Sequence, residues 1–234
     1  MRVITWNCRV GGFRKKAKQI APFRPDVLAV QEVEPLTDVL LFAGDHQPTF
    51  RDRIGDPAFP KRAIGMFSYT DVELTPVDGA ACRYCFRRYR ARYGELSFQI
   101  VGVWTWATKL RKTSYRQAID GVREHGAWIS QAPTVILGDF NDNASYRSGH
   151  WAELLALLQP LGLVSAYHEH FQEPFGAESR PTHYFKGNQG SPFHLDYCFV
   201  PKVWARRIKT VTVGAYDEWR TVSDHVPLMV DLDL

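Results

Sequence analysis

Polar residues spread from one end of the chain to the other each stand at the end of an apolar run of strand length: Asn7, Glu32, Asp139, Asn141, Asp196, Asp224 and His225. Carboxylates and amides make an oxygen-rich set, suited to a hard divalent cation such as Mg²⁺ or Mn²⁺ and unsuited to a thiolate zinc site. The histidine among them can change charge near neutral pH. Together they point to metal-assisted hydrolysis.

Spacing sets how such residues can meet. Asp224 and His225 are neighbours, and neighbours in an extended strand face opposite ways, so both serve one site only from a turn ahead of the Val226 to Leu232 run. Asp139 and Asn141 lie two apart, which sends both to one face of an extended backbone, and Gly138 suits a close approach of backbone to a ligand. Asp196 and Cys198 share one face of the His194 to Val200 strand, with Tyr197 pointing away. Read singly, Asn7 is a turn former and Glu32 a solvated loop charge. Their matched places at the ends of the first two strands favour a site.

The elements that must hold these groups alternate between strand and helix patterns. Arg2 to Trp6 reads as a strand, Phe13 to Phe23 as a basic helix carrying Lys15, Val27 to Gln31 as a buried strand and Pro35 to Ala43 as a helix. Gly44 to Pro60 reads as loop. Ala63 to Ser68 and Asp71 to Val77 read as paired strands around a Tyr69-Thr70 turn, and Arg83 to Tyr93 with Glu95 to Thr105 as a hairpin. Helices follow at Ser114 to Ile129 and Trp151 to Leu161, and strands at Thr134 to Leu137 and Ile208 to Val213. In the hairpin, Arg88 and Arg90 are interleaved with Tyr89 and Phe86, a pattern that grips phosphates and stacks bases, or equally a solvated edge strand guarded by charge.

At 234 residues and 45% hydrophobic content, with no linker-like stretch, residues 1–234 read as one domain. A site drawn from both ends of the chain supports that reading. The net charge of +4 leans towards anionic partners, nucleic acid among them. No run approaches the roughly 18 to 20 apolar residues of a membrane span, so a cytoplasmic monomer without membrane insertion is expected. Cys82 and Cys85 have the spacing of half a zinc site, but the matching half is missing, and free thiols are the expectation. His168, His170 and His183 are read as surface or supporting histidines in preference to a metal triad.

Thr5-Trp6-Asn7, Gln31-Glu32-Val33, Gly138-Asp139-Phe140-Asn141, His194-Leu195-Asp196-Tyr197 and Ser223-Asp224-His225-Val226-Pro227 occur in an order that resembles the endonuclease/exonuclease/phosphatase superfamily. The resemblance spans nearly the whole chain. It implies an α/β (α+β) four-layer sandwich: two mainly antiparallel β-sheets packed face to face, with helices outside and a site at one edge. It also implies a divalent-metal-dependent phosphodiesterase. Glu32 would be the main metal ligand, with Asn7 and Asp224 beside it. Asp139 and Asn141 would deprotonate and orient a water, and Asp196 would fix His225, leaving either Asp139 or His225 as the base. Nucleic acid is the expected substrate, with Arg88, Arg90, Lys15 and Trp106 as contacts. Phospholipid head groups or small phosphate esters are the alternative, as is a catalytically weak nucleic-acid-binding relative. One position departs from the resemblance: Trp106 stands where a histidine or tyrosine is usual, and an indole donates a hydrogen bond but is no general acid.

Overall fold

The computed structural model describes residues 1–35, 46–55, 63–69, 71–77, 86–106, 114–146 and 150–234. In chain order these form β1 (Arg2–Asn7), α1 (Phe13–Ile20), β2 (Val27–Gln31), β3 (Phe50–Ile54), β4 (Ile64–Ser68), β5 (Val72–Pro76), β6 (Phe86–Tyr93), β7 (Leu96–Trp104) and α2 (Ser114–Ile129). There follow β8 (Thr134–Asp139), α3 (His150–Leu158), β9 (Leu163–Ser165), α4 (Ala166–Phe171), β10 (His183–Tyr184), β11 (Pro192–Phe193), β12 (Asp196–Pro201), β13 (Ile208–Val213), α5 (Tyr216–Trp219) and β14 (Leu228–Leu232). One six-stranded sheet runs β13-β14-β1-β2-β4-β3 and the other β5-β6-β7-β8-β12-β9.

Each sheet is antiparallel except for one central parallel pair, β1 with β2 and β7 with β8. A parallel pair brings two carboxyl ends to the same edge, and the antiparallel neighbours β14 and β12 begin there. Strand alternation decides what lies between the sheets. Val3, Val27, Ala29, Val135, Leu137, Cys198 and Val200 point into the shared core. Ile4, Trp6, Leu28 and Val30 point outward beneath Phe13, Ala17 and Ile20 of α1 and Trp219 of α5. On the far side, Ile136, Tyr197 and Phe199 meet Ala118, Ile119 and Val122 of α2 and Leu154 and Leu158 of α3. Three apolar cores therefore separate four layers, each buried Val, Leu, Ile or Phe stabilising the stack by about 1.5–3 kcal/mol. On the same alternation, the next inward positions at one edge are Asn7 on β1, Asp139 on β8 and Asp196 on β12.

Several expectations are revised. The helix from Phe13 stops at Ile20 and passes into a 3₁₀ turn, Ala21–Phe23, because Pro22 has no N–H to continue the ladder. Its start lacks a side-chain cap from Gly12; Glu34 instead accepts the N–H groups of Phe13 (2.8 Å) and Arg14 (3.0 Å). β4 and β5 are not a hairpin: β4 lies between β2 and β3, and β5 pairs with β6 in the other sheet. β3 occupies a stretch read as loop. At Gly138 the backbone approaches protein closely: φ is +153°, and a Cβ there would stand 1.9 Å from the Val103 carbonyl oxygen of β7. The expected helix is outside the described residues beyond Pro35, and Thr70, the Cys82 and Cys85 pair and the Lys109 to Lys112 loop lie outside them too.

Candidate active site

The edge where β1, β2, β7 and β8 end holds a hydrogen-bonded array that crosses from sheet to sheet. Asn7 Nδ2 donates to Asp139 Oδ2 (2.9 Å) and also reaches Glu32 Oε1 (3.4 Å), so one amide joins carboxylates of both sheets. Asn7 Oδ1 accepts the Arg9 N–H (2.9 Å), and Glu32 Oε2 accepts that of Val10 (2.7 Å). Arg9, Val10, Gly11 and Gly12 all have positive φ, as does Glu32 at +60°. This curled loop closes over the end of β1 because Glu32 holds it from below.

Asp139 and Asn141 meet through a turn, and not because an extended backbone aligns them. Asn141 takes φ of +48°, its N–H donates to Asp139 Oδ1 (2.9 Å), and its Nδ2 turns back to Asp139 Oδ2 (2.8 Å) and to the Thr105 carbonyl (2.6 Å). Burial favours the protonated form of Asp139 and, with the charge of Asp196, outweighs His225 and the donated hydrogen bonds; its carboxyl is pushed up to about 7. Asp142, also buried, is raised to about 6 for the same first reason.

His225 and Asp196 form the second half. His225 Nδ1 bonds Asp196 Oδ2 at 2.8 Å, and both side chains are buried. Burial alone would depress this imidazole, but the charges of Asp196 and Asp139 prevail and raise it to about 9. Thr182 Oγ1 accepts the N–H of Asp196 (3.0 Å), Ser223 Oγ donates to the Asn7 carbonyl (2.8 Å) and accepts from the His225 N–H (3.1 Å), and Trp6 Nε1 donates to the His225 carbonyl (3.1 Å). These bonds tie the approach to β14 onto β1. As expected, the 223–225 segment precedes the strand, and Asp224 and His225 both lie at this edge; Asp224 faces Arg9, Oδ2 to Nε, at 3.4 Å.

Ligand atoms of Asp139, Asp196 and His225 lie within 4.8 Å of one another, a group that could hold a metal ion. It differs from the expected trio of Asn7, Glu32 and Asp224. Among the described residues Asp196 Oδ1 is buried without a hydrogen-bond partner, and two carboxylates, Glu32 and Asp139, crowd one amide. Such a concentration of hard oxygen donors fits a divalent cation.

The expected substrate contacts are scattered. Trp106 stacks on Trp104 at 4.2 Å, and the Trp106 carbonyl accepts from Gln117 Nε2 (2.7 Å), just beyond the end of β7. Lys15 is exposed on α1. The structure does not bring Arg88 and Arg90 to this edge. They pair with Val101 and Gln99, roughly 10 and 17 Å back along β7 from Trp104 at ~3.4 Å per residue, and Arg88 lies over the Trp128 ring of α2, 5.2 Å from its centroid. Sequence reasoning left out Arg9 and Thr182, and set His183 aside. His183 stands beside His225, ring centroids 4.4 Å apart.

A model of the Endonuclease/Exonuclease/phosphatase family matches residues 4–225. No curated protein sequence matches the chain. Among solved structures, the endonuclease domain of TRAS1, a telomere-specific non-LTR retrotransposon, aligns at 14% identity with a TM-score of 0.71, covering 100% of this chain and 98% of that one. A humanised D. rerio TDP2 aligns at 15% identity and 0.72, covering 100% and 99%. A 3′ phosphatase from Neisseria, NExo, bound to a product DNA hairpin, aligns at 17% and 0.66, covering 100% of both chains. At these identities the likeness is one of fold.

Proposed function

The chain belongs to the Endonuclease/Exonuclease/phosphatase family, and from that premise we propose that it is a phosphodiester hydrolase dependent on Mg²⁺ or Mn²⁺, acting on nucleic acid. The observation that carries this reading is the array joining Glu32, Asn7 and Asp139 across the two sheets, with His225 and Asp196 beside it. With Asp139, Asp196 and His225 assigned to the water and the phosphate in spite of their own metal-like grouping, the cation would fall to Glu32, Asn7 and Asp224, and when bound it would neutralise charge growing on the phosphate oxygens. Asp139, fixed by Asn7 and Asn141, keeps lone pairs for a water and takes its proton as the water oxygen bonds to phosphorus. His225, with Nδ1 committed to Asp196, presents Nε2 to the phosphate, and the leaving oxygen departs with the bonding pair as the P–O bond breaks.

A nucleic-acid substrate is supported by the net charge of +4 and by the DNA hairpin in the similar phosphatase. Lys15 and Trp106 are the proposed contacts near the strand ends. Arg88 and Arg90 lie too far back along β6 to meet the reacting phosphate and are not proposed as contacts to it. No helix among the described residues is long and apolar enough to cross a membrane.

The test is cleavage of labelled single-stranded DNA, abasic duplex DNA, RNA, sphingomyelin and bis-p-nitrophenyl phosphate with Mg²⁺, beside Glu32→Ala. Loss of DNA or RNA cleavage in Glu32→Ala by at least ~10²-fold is expected. Cleavage indifferent to that substitution would refute the site, and a preference for sphingomyelin would move the substrate to lipid head groups.

A further inference from the structure

Two imidazoles lie side by side at this edge, and the mechanism above uses only one. His183 of β10 is the cross-strand partner of His225 in an isolated antiparallel bridge. The bonds flanking it run from Tyr184 N to the Asp224 carbonyl (2.8 Å) and from Val226 N to the Thr182 carbonyl (2.8 Å). His183 and His225 are therefore a non-hydrogen-bonded pair, the kind in which opposed side chains stand closest and on the same face. Their rings meet at 4.4 Å with planes 46° apart.

We propose that His183 is a second imidazole of the site, donating its Nε2–H to a non-bridging oxygen of the phosphate under attack. The proposal rests on the phosphodiesterase reading. Among the described residues its Nδ1 is buried with no hydrogen-bond partner, whereas Nε2 is not enclosed and makes no hydrogen bond. A proton on Nδ1 would bury an unsatisfied N–H, so the favoured tautomer carries it on Nε2, the nitrogen that is not enclosed. A phosphate offers acceptors only, and an N–H is what it can use.

The neighbourhood also keeps this ring neutral. Burial first, then the charges of His225 and Arg9, lower His183 to about 3. A neutral donor stabilises negative charge without competing with His225 for a proton. Phe193 at 6.1 Å and Phe185 at 6.5 Å, centroid to centroid, wall the ring on its other sides, so its position is set before substrate arrives.

The rival role is packing, with the ring merely supporting His225, and two substitutions separate the roles. His183→Phe keeps an aromatic ring and loses the donor; His183→Asn loses the ring and keeps an N–H. With Mg²⁺ and bis-p-nitrophenyl phosphate, kcat is expected to fall about 10²-fold in His183→Phe, with KM nearly unchanged and a partial recovery in His183→Asn. Wild-type kcat in His183→Phe, or equal losses in both variants, overturns the proposal. A second readout needs no turnover: proton NMR of the His183 ring C–H resonances, assigned by their absence in His183→Phe, during titration of the wild-type protein with inorganic phosphate. A saturable shift supports the donor role and a stationary resonance refutes it. Should the wild-type protein cleave nothing, the phosphodiesterase reading fails and this titration still decides whether His183 meets phosphate.

Discussion

Asp139→Asn should cost activity and yet raise stability at alkaline pH. The carboxyl moves from 3.8 to about 7 on folding. Between those values the folded protein holds a proton that the unfolded chain has released, which favours folding at low pH. The benefit is lost as pH rises through 7, and above it the native state carries the full cost of a buried charge. The whole shift is worth ~4 kcal/mol at 1.36 kcal/mol per unit, of which about 3 kcal/mol enters between pH 5 and pH 8. Removing the carboxylate also loosens the hold on the His225 proton, so the variant sheds less stability than wild type above pH 6.5, which adds to this difference. Asparagine turns an amide towards donors from Asn7 and Asn141, but that penalty is the same at both pH values. His183, lowered to about 3, makes the native state lose stability below about 6.5, yet it does so in both proteins and cancels. Thermal unfolding in EDTA should therefore show the variant gaining on wild type by at least about 6 °C from pH 5 to pH 8, at ~2–4 °C per kcal/mol for a chain of this size. Mg²⁺ added at pH 8 should narrow the gap by stabilising the wild-type carboxylate. A difference independent of pH, or one that shrinks as pH rises, would refute the reasoning.

Two further outcomes follow from single contacts. Asp196→Asn removes the first-ranking charge holding the His225 proton, so that imidazole should titrate well below about 9 and towards 6.5 when followed by ring C–H shifts; a value unmoved near 9 would assign the effect elsewhere. Gly138→Ala would drive a methyl into the Val103 carbonyl, 1.9 Å from its oxygen, and should destabilise by more than about 4 kcal/mol in urea unfolding. A midpoint equal to wild type would show that β8 can retreat from β7 at little cost.

The strands nearest the site were legible because their residues alternate between two buried faces. Val3 and Asn7 share one parity, and so do Leu137 and Asp139, so the polar end of each strand could be read along with its apolar part. β3 was not legible: Phe50-Arg51-Asp52-Arg53-Ile54 has charges on both faces, and it forms because Asp52 accepts from Arg87 Nε (2.8 Å) and Tyr89 OH (2.9 Å) of the facing sheet. β4 and β5 show the limit of local reading. Two short apolar runs around a turn look like a hairpin, and only the rest of the fold says that they part into different sheets. The pairing of His183 with His225 is of the same kind, since nothing near either residue in sequence points to the other. The hinge of Asp139 and Asn141 was read at the right spacing but for the wrong reason, a left-handed turn standing in for strand parity.

β14 pairs with β1 on one side and β13 on the other, although β1 and β14 are separated by most of the chain. Until β14 slots in, β1 has a bare edge and the opposing carboxylates have no His225. Folding must therefore close a loop spanning most of the chain before this edge is assembled. Chains cut short of that strand would leave β1 an open backbone template for their neighbours.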